Sequence, residues 1–254
     1  MKTLRLLPLV LVILLMISGC AEKVASVQDN NDTTPPPDNE QPGIVLPGDD
    51  LIYFWIFDGR VPNNRELTRL DATFEAQNEA FFEFFSGLPG YPNTNRKGSM
   101  ERRNMPTEIN YKPAGNDNKP FETSDMRGIQ FRQPFEGQAG DHTVIFSVPT
   151  TGFSAIQFSL AGMDEGAASA LRFDYSVTSG EPNWITTGLP QTAIIQSLTT
   201  GDFKLFKVDF ANISAVDNNP DFKIRMRFLV PDGDVDNGDR VTINNVALEG
   251  SVIE

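Results

Sequence analysis

The 254-residue chain is short of the side chains most often recruited for chemistry, with one cysteine, Cys20, and one histidine, His142. A single cysteine excludes an intrachain disulfide, and a single histidine excludes a histidine-rich metal site. A nucleophilic triad would have to use His142, which stands in Gly140-Asp141-His142-Thr143 with no nucleophile-elbow motif nearby. Paired carboxylates for glycoside hydrolysis are defined only by their separation in space, and nothing picks a pair out of 34 acidic residues. The expectation is therefore a protein that is not an enzyme. Positive charge is scarce as well: 21 Lys and Arg against 34 Asp and Glu leave a formal charge of −13. That balance argues against nucleic acid and anionic headgroups as principal partners, although solubility explains it equally well. Aromatic residues are missing altogether from residues 21–50.

What is present begins at the N-terminus. Lys2 and Arg5 precede an apolar run, residues 6–17, that is too short to span a bilayer and has the build of a secretory signal. It ends in Ile17-Ser18-Gly19-Cys20, which resembles the bacterial lipoprotein box. The resemblance implies cleavage after Gly19, diacylglycerol on the Cys20 thiol, and a protein tethered to a membrane through that residue rather than crossing it. Ala21 in place of Asp then favours the outer membrane, with the leaflet left open. Removal of residues 1–19 takes away Lys2 and Arg5 and no acid, moving the formal charge from −13 to −15. Residues 20–50, rich in Asp, Asn, Thr and Pro with Pro35-Pro36-Pro37, cannot fold alone and read as a partly stiffened linker.

Residues 51–254 are long enough for one large domain, and the fold class expected is all-β: a jelly-roll sandwich of two antiparallel sheets. Apolar alternations recur at Val144/Phe146/Val148, Ile156/Phe158/Leu160, Leu171/Phe173/Tyr175 and Phe206/Val208/Phe210. Turn chemistry such as Ser179-Gly180-Glu181-Pro182 separates them. Residues 67–88 keep roughly helical apolar spacing, yet Thr68, Thr73 and the phenylalanine cluster favour strand. Residues 221–250 read as a closing hairpin. Phe222, Ile224, Met226 and Phe228 form one apolar face, while Val241/Ile243 and Val246/Leu248 fall on opposite parities. A β-bulge at Asn244-Asn245 would restore the face.

Eight of the 21 cations lie between Arg96 and Arg132, among Asn, Pro and Gly that predict long loops. With Tyr91, Arg96, Arg102, Arg103, Asn104 and Tyr111, this segment has the composition of a groove for an acidic or neutral glycan, since guanidinium forks hold oxyanions and aromatic faces cover sugar rings. The alternative is structural, with Arg102 and Arg103 pinning the loop through Glu101, Glu108 or Asp125. Trp55, in the run YFWIF, belongs to the core, whereas Trp184 stands after a turn signal either as a stacking platform or as a seal on the core. Asp232, Asp234 and Asp236 start like a calcium loop, but the glycine falls one place late and the distal Glu is missing, so a solvated acidic turn reads better.

Several phrases together resemble an uncharacterised β-jelly-roll module of Gram-negative secreted proteins and lipoproteins, similar to galactose-binding-like carbohydrate-binding modules. They are SMERRNMPTEINY (99–111), DMRG (125–128), AGMDEGA (161–167), FDYSV (173–177), NNPDFKIR (218–225) and RVTINNV (240–246). The resemblance spans most of 51–254. It implies a carbohydrate-binding-like sandwich and a structural calcium where the first and last strands meet, the counterpart ligands being Asp58 and Asn245. An amide at 245 keeps an oxygen ligand but loses a charge. The functional expectation is a lipid-anchored envelope protein that binds glycan or another surface polymer. The alternative is a protein–protein module of an outer-membrane assembly.

Overall fold

The computed structural model describes residues 45–92, 98–132, 136–137, 140–229 and 238–254. The strands, in chain order, are β1 (Asp50–Trp55), β2 (Arg69–Asp71), β3 (Phe74–Glu75), β4 (Phe81–Phe85), β5 (Met100–Arg103), β6 (Gly128–Arg132), β7 (Glu136–Gly137), β8 (Gly140–Asp141) and β9 (Thr143–Ser147). They continue with β10 (Phe153–Glu165), β11 (Ala170–Ser176), β12 (Ile195–Ser197), β13 (Lys204–Asp209), β14 (Lys223–Leu229) and β15 (Arg240–Val252). Two antiparallel sheets make a jelly-roll sandwich. One runs β13-β10-β15-β1-β3 with β6 and β5 added beside β15; the other runs β12-β11-β14-β9-β4-β2.

The first strand shows how sequence drives the layering. Tyr53, Trp55 and Phe57 point into the main core between the sheets, while Phe54 and Ile56 join a second cluster with Met126 and Ala247 on the outer face of the first sheet. Tyr111 and Phe121 pack against that second cluster, so part of the 104–127 connection lies across this face. A strand buried on both faces reads as a continuous apolar run, and YFWIF does. The alternating strands of the second sheet bury one face only: β14 exposes Lys223, Arg225 and Arg227 partly and buries Ile224, Met226 and Phe228.

Residues 67–88 are strands, as Thr68 and Thr73 suggest: the roughly helical spacing comes from three short strands separated by corners. At the sharpest corner, Ala72-Thr73, the chain leaves the second sheet and enters the first. The Thr73 hydroxyl donates to Phe54 O (2.8 Å) and accepts from Ile56 N (2.9 Å), fixing the crossing.

The closing hairpin is not formed. β14 pairs with β11 and β9 in one sheet, whereas β15 pairs with β10, β1 and β6 in the other. Each strand has one side turned to the common core, so two alternating patterns close in sequence look like partners even when they face each other across the sandwich. The bulge expected at Asn244-Asn245 is present: Ser159 pairs with Ala247 but Ala161 with Asn244. Asn245 takes a left-handed backbone, φ 46°. It stands where β15 exchanges partners, β6 facing Arg240 to Ile243 and β1 facing Val246 to Gly250.

Residues 45–50, assigned by composition to the linker, belong to the folded unit. Gly48 N donates to Ala155 O (2.8 Å), and Val45 exchanges two 3.0 Å hydrogen bonds with the Asn212 side chain. Cys20 and the rest of the linker lie outside the described residues. No helix among the described residues is long and apolar enough to cross a membrane.

Candidate functional site

The described residues among those expected to form a glycan groove do not converge. Tyr91 is half-buried against the core, edge-on to Phe84, its hydroxyl donating to Leu67 O and accepting from Met100 N (3.2 Å), and burial pushes its phenol well above the ordinary range. Tyr111 packs on Phe54 over the first sheet, its hydroxyl accepting from Asn116 Nδ2 (2.8 Å) and donating to Lys119 O (3.0 Å). Trp184 stands on the other sheet, over the Arg225 guanidinium at 4.6 Å. Opposite faces of a sandwich cannot share one ligand site. Arg102 donates to Val61 O (3.0 Å), and Arg103 pairs with Glu165 at 2.7 Å, a carboxylate on β10 rather than one of the nearby acids expected to hold it. Glu101 is turned inward instead, accepting from Ser99 Oγ (2.7 Å). Asn104 is exposed; Arg96, Asp232, Asp234 and Asp236 lie outside the described residues. His142 is 1% exposed, which removes it from solvent-borne substrates.

Asp58 and Asn245 do not fit a shared calcium. The Asn245 side-chain amide is a donor, giving hydrogen bonds to Thr107 O (2.7 Å) and Ile109 O (2.8 Å), while the residue's backbone carbonyl accepts from Asn110 Nδ2 (2.5 Å). The side chain thus clamps the 105–111 connection onto the bulge. Asp58 is gripped by Arg60, whose Nε reaches both carboxylate oxygens (3.0 and 2.9 Å). Burial works to raise the Asp58 carboxyl, but the Arg60 hydrogen bonds and the charges of Arg60 and Arg127 outweigh it and hold it below the usual carboxylate range. A site faced by two guanidiniums does not recruit a dication. Among the described residues, no group of three or more His, Cys, Asp or Glu is placed to hold a metal.

A different concavity is present at the corner where the chain crosses between sheets. Three adjoining depressions of about 300, 340 and 360 Å³ share their walls: Asp58 and Arg60 belong to the first and second, Asp71 and Ala72 to the second and third. They form one groove along the open edges of the two sheets. Pro62, Leu70 and Ala72 supply its apolar floor at the middle, with Trp55 and Phe57 buried beneath them at 1% and 2% exposure. Asp125 and Arg127 close one end, Glu75 and Glu79 the other. The floor is rigid because the Trp55 indole donates to Leu70 O (3.1 Å) and stacks edge-on against Phe146. The rim is polar and ordered: Arg69 pairs with Asp71 at 2.7 Å and lies 3.5 Å over the Phe81 ring, and Arg60 pairs with Asp58 at 2.8 Å.

Geometry of this kind offers planar acceptors and planar donors over an apolar floor. Carboxylate–guanidinium pairs present a hydrogen-bonding edge to a ligand without presenting a large net charge. Of the described residues expected in sequence to bind a ligand or metal, only Asp58 lines this groove. The sequence signal is the spacing Asp58-x-Arg60 and Arg69-x-Asp71, two opposite-charge pairs, each two residues apart, that follow the aromatic run.

No family model matches the chain, and no curated protein does either. Among solved structures, it is similar to the enzymatically active domain of bacteriophage CBA120 tailspike protein 4 (9% identity, 68% of this chain and 19% of that one, TM-score 0.38). It is also similar to the tandem CBM22-1-CBM22-2 domain of Paenibacillus barcinonensis Xyn10C (6% identity, 83% and 48%, TM-score 0.41). A third is the family 11 carbohydrate-binding module of Clostridium thermocellum in complex with a mixed-linked tetrasaccharide (11% identity, 80% and 99%, TM-score 0.38). The chain spans about a fifth of the first and about half of the second.

Proposed function

We propose that this protein is a non-catalytic glycan-binding module, held at the outer membrane through a lipidated Cys20, and that the corner groove is its binding site. The observation that carries the reading is the groove itself: contiguous depressions with an apolar floor and ordered Asp–Arg pairs on the rim. Sugar rings have apolar faces and polar edges, so a floor of this kind covers the ring while the rim pairs with hydroxyls. Asp58, held ionised by Arg60, does not serve as a general acid near neutral pH. Anchoring follows from the resemblance of Ile17-Ser18-Gly19-Cys20 to a lipoprotein box.

The test is a glycan array probed with the detergent-solubilised protein, beside the double variant D58A/D71A. Both ion pairs have a well-exposed member and contribute little to stability, roughly 0–1 kcal/mol each. The variant should therefore keep nearly the native melting temperature and lose at least about tenfold in affinity, the scale of one or two ligand hydrogen bonds. Native affinity in the variant would move the site elsewhere, and turnover of a bound glycan would make the protein an enzyme.

A further inference from the structure

The groove is not electrically neutral, and its imbalance has a direction. Its walls carry five carboxylates and three guanidiniums. Two of the three guanidiniums are held by carboxylates, and Arg127, whose Nε is buried without a hydrogen-bond partner among the described residues, is not. Arg60 is spent on both oxygens of Asp58, and Arg69 is held between Asp71 and the Phe81 ring. Arg127 turns its Nη1 to the carbonyls of Ser124 (2.8 Å) and Met126 (2.6 Å). On the acidic side, Glu75 accepts from Ala80 N (2.8 Å), while Asp125 and Glu79 have no ion-pair partner among the described residues. An anion drawn to Arg60 or Arg69 also meets the charge of the carboxylate that the same guanidinium holds. A hydroxyl has no such conflict, since it donates to a carboxylate and accepts from the same guanidinium.

Resting on the glycan-binding reading, we infer that the groove selects by charge: it takes an uncharged glycan and rejects one bearing uronate, sulfate or phosphate. The acidic excess lies at the end formed by Asp71, Glu75 and Glu79, faced there by Arg69 alone among the lining cations. Discrimination is therefore greatest for a charged sugar seated at that end, and weaker near Asp58 and Asp125, where Arg60 and Arg127 match them in number.

The experiment uses the full-length protein in detergent and the polysaccharide that an array returns as bound, in three forms: native, oxidised at its primary alcohols to carboxylates, and oxidised then methyl-esterified. Oxidation should weaken binding at least about tenfold at about 0.01 M salt, and esterification should restore it. The gap should shrink as salt rises to about 1 M, because the screening length falls from about 30 Å to about 3 Å. The variant D71N/E75Q/E79Q, checked for an unchanged melting temperature, should narrow the gap at low salt. Equal or tighter binding of the oxidised form, or an array that returns only anionic glycans, overturns this inference and leaves the proposed function standing. An array that returns no glycan overturns both.

Discussion

Asn245→Asp is the substitution that most sharply divides two readings of the last strand. If Asn245 and Asp58 were counterparts of a calcium pair, an aspartate would restore the missing charge, and calcium would stabilise the variant. The geometry requires the opposite. The amide gives hydrogen bonds to the carbonyls of Thr107 and Ile109, and the residue is 1% exposed. A carboxylate has no proton to give, so two hydrogen bonds worth about 1 kcal/mol each disappear. The new charge is also buried against two carbonyl oxygens, adding a few kcal/mol. The sum is about 4 kcal/mol or more, and at about 2–4 °C per kcal/mol for a domain of this size the melting temperature should fall by about 8–16 °C. Thermal unfolding followed by circular dichroism, with calcium and with chelator, should give the same drop in both. Asn245→Gly, which keeps the left-handed backbone and loses only the hydrogen bonds, should fall by about half as much. Because desolvation raises the folded-state pKa of the new carboxyl above its unfolded value near 4, the charge penalty should be absent below about pH 4 and grow as pH rises. A variant that melted at or above the native temperature in calcium, and below it in chelator, would refute the reasoning and make the bulge a cation site.

Two further outcomes test the fold. A Cβ on Gly48 would lie 2.1 Å from the Gly250 carbonyl carbon, a backbone atom that cannot swing aside, so Gly48→Ala should separate residues 45–50 from β15. Loss of the Gly48–Ala155 hydrogen bond and its neighbours should cost about 1–2 kcal/mol, read as a melting shift of about 2–8 °C; no shift would return these residues to the linker. Asp217 receives the Ala155 amide (3.0 Å), yet burial raises its carboxyl above the ordinary value despite that bond. A raised folded-state pKa means that its contribution is most favourable below the unfolded pKa and is lost as pH rises through the folded one. Asp217→Asn, which keeps an oxygen for Ala155, should therefore stabilise at pH 7 and change little near pH 3. Equal effects at both pH values would show that desolvation is not what raises it.

Much of the fold was legible because strand patterning records which side of a residue is buried. The two-sided burial of β1 shows in YFWIF, and the phase slip between Ile243 and Val246 shows in the Asn244-Asn245 bulge. What patterning does not record is the partner. β14 and β15 both turn an apolar side inward, and that is equally true of hairpin neighbours and of strands on facing sheets. Sheets about 10 Å apart are within reach of the short connection between them, so proximity in sequence misled. Residues 67–88 presented the reverse case: three strands of two to five residues, broken by corners, imitate a helical period because no strand lasts long enough to establish its own.

The site was less legible, and for a different physical reason. Charge density along a sequence is not charge density in space. The cations between Arg96 and Arg132 are dense in sequence, but a strand and the connection after it spread the described ones over whatever lies beside or beneath. Arg102 reaches a carbonyl of the 56–66 loop, Arg103 a carboxylate on β10, and Lys112 the Glu249 carboxylate on β15 at 2.6 Å. Arg127 alone among the described cations of that segment lines the groove. The groove is assembled from residues 55–62, the corner at 69–73, the turn at 75–80 and two residues from the far end of the long connection. No single stretch carries it. Its only local trace is the pair Asp58-x-Arg60 and Arg69-x-Asp71, each satisfied within itself. Such internal satisfaction lets a polar rim stand ready for uncharged hydroxyls, and it also keeps the rim from looking like a binding site in sequence, because neither pair leaves a surplus charge to notice.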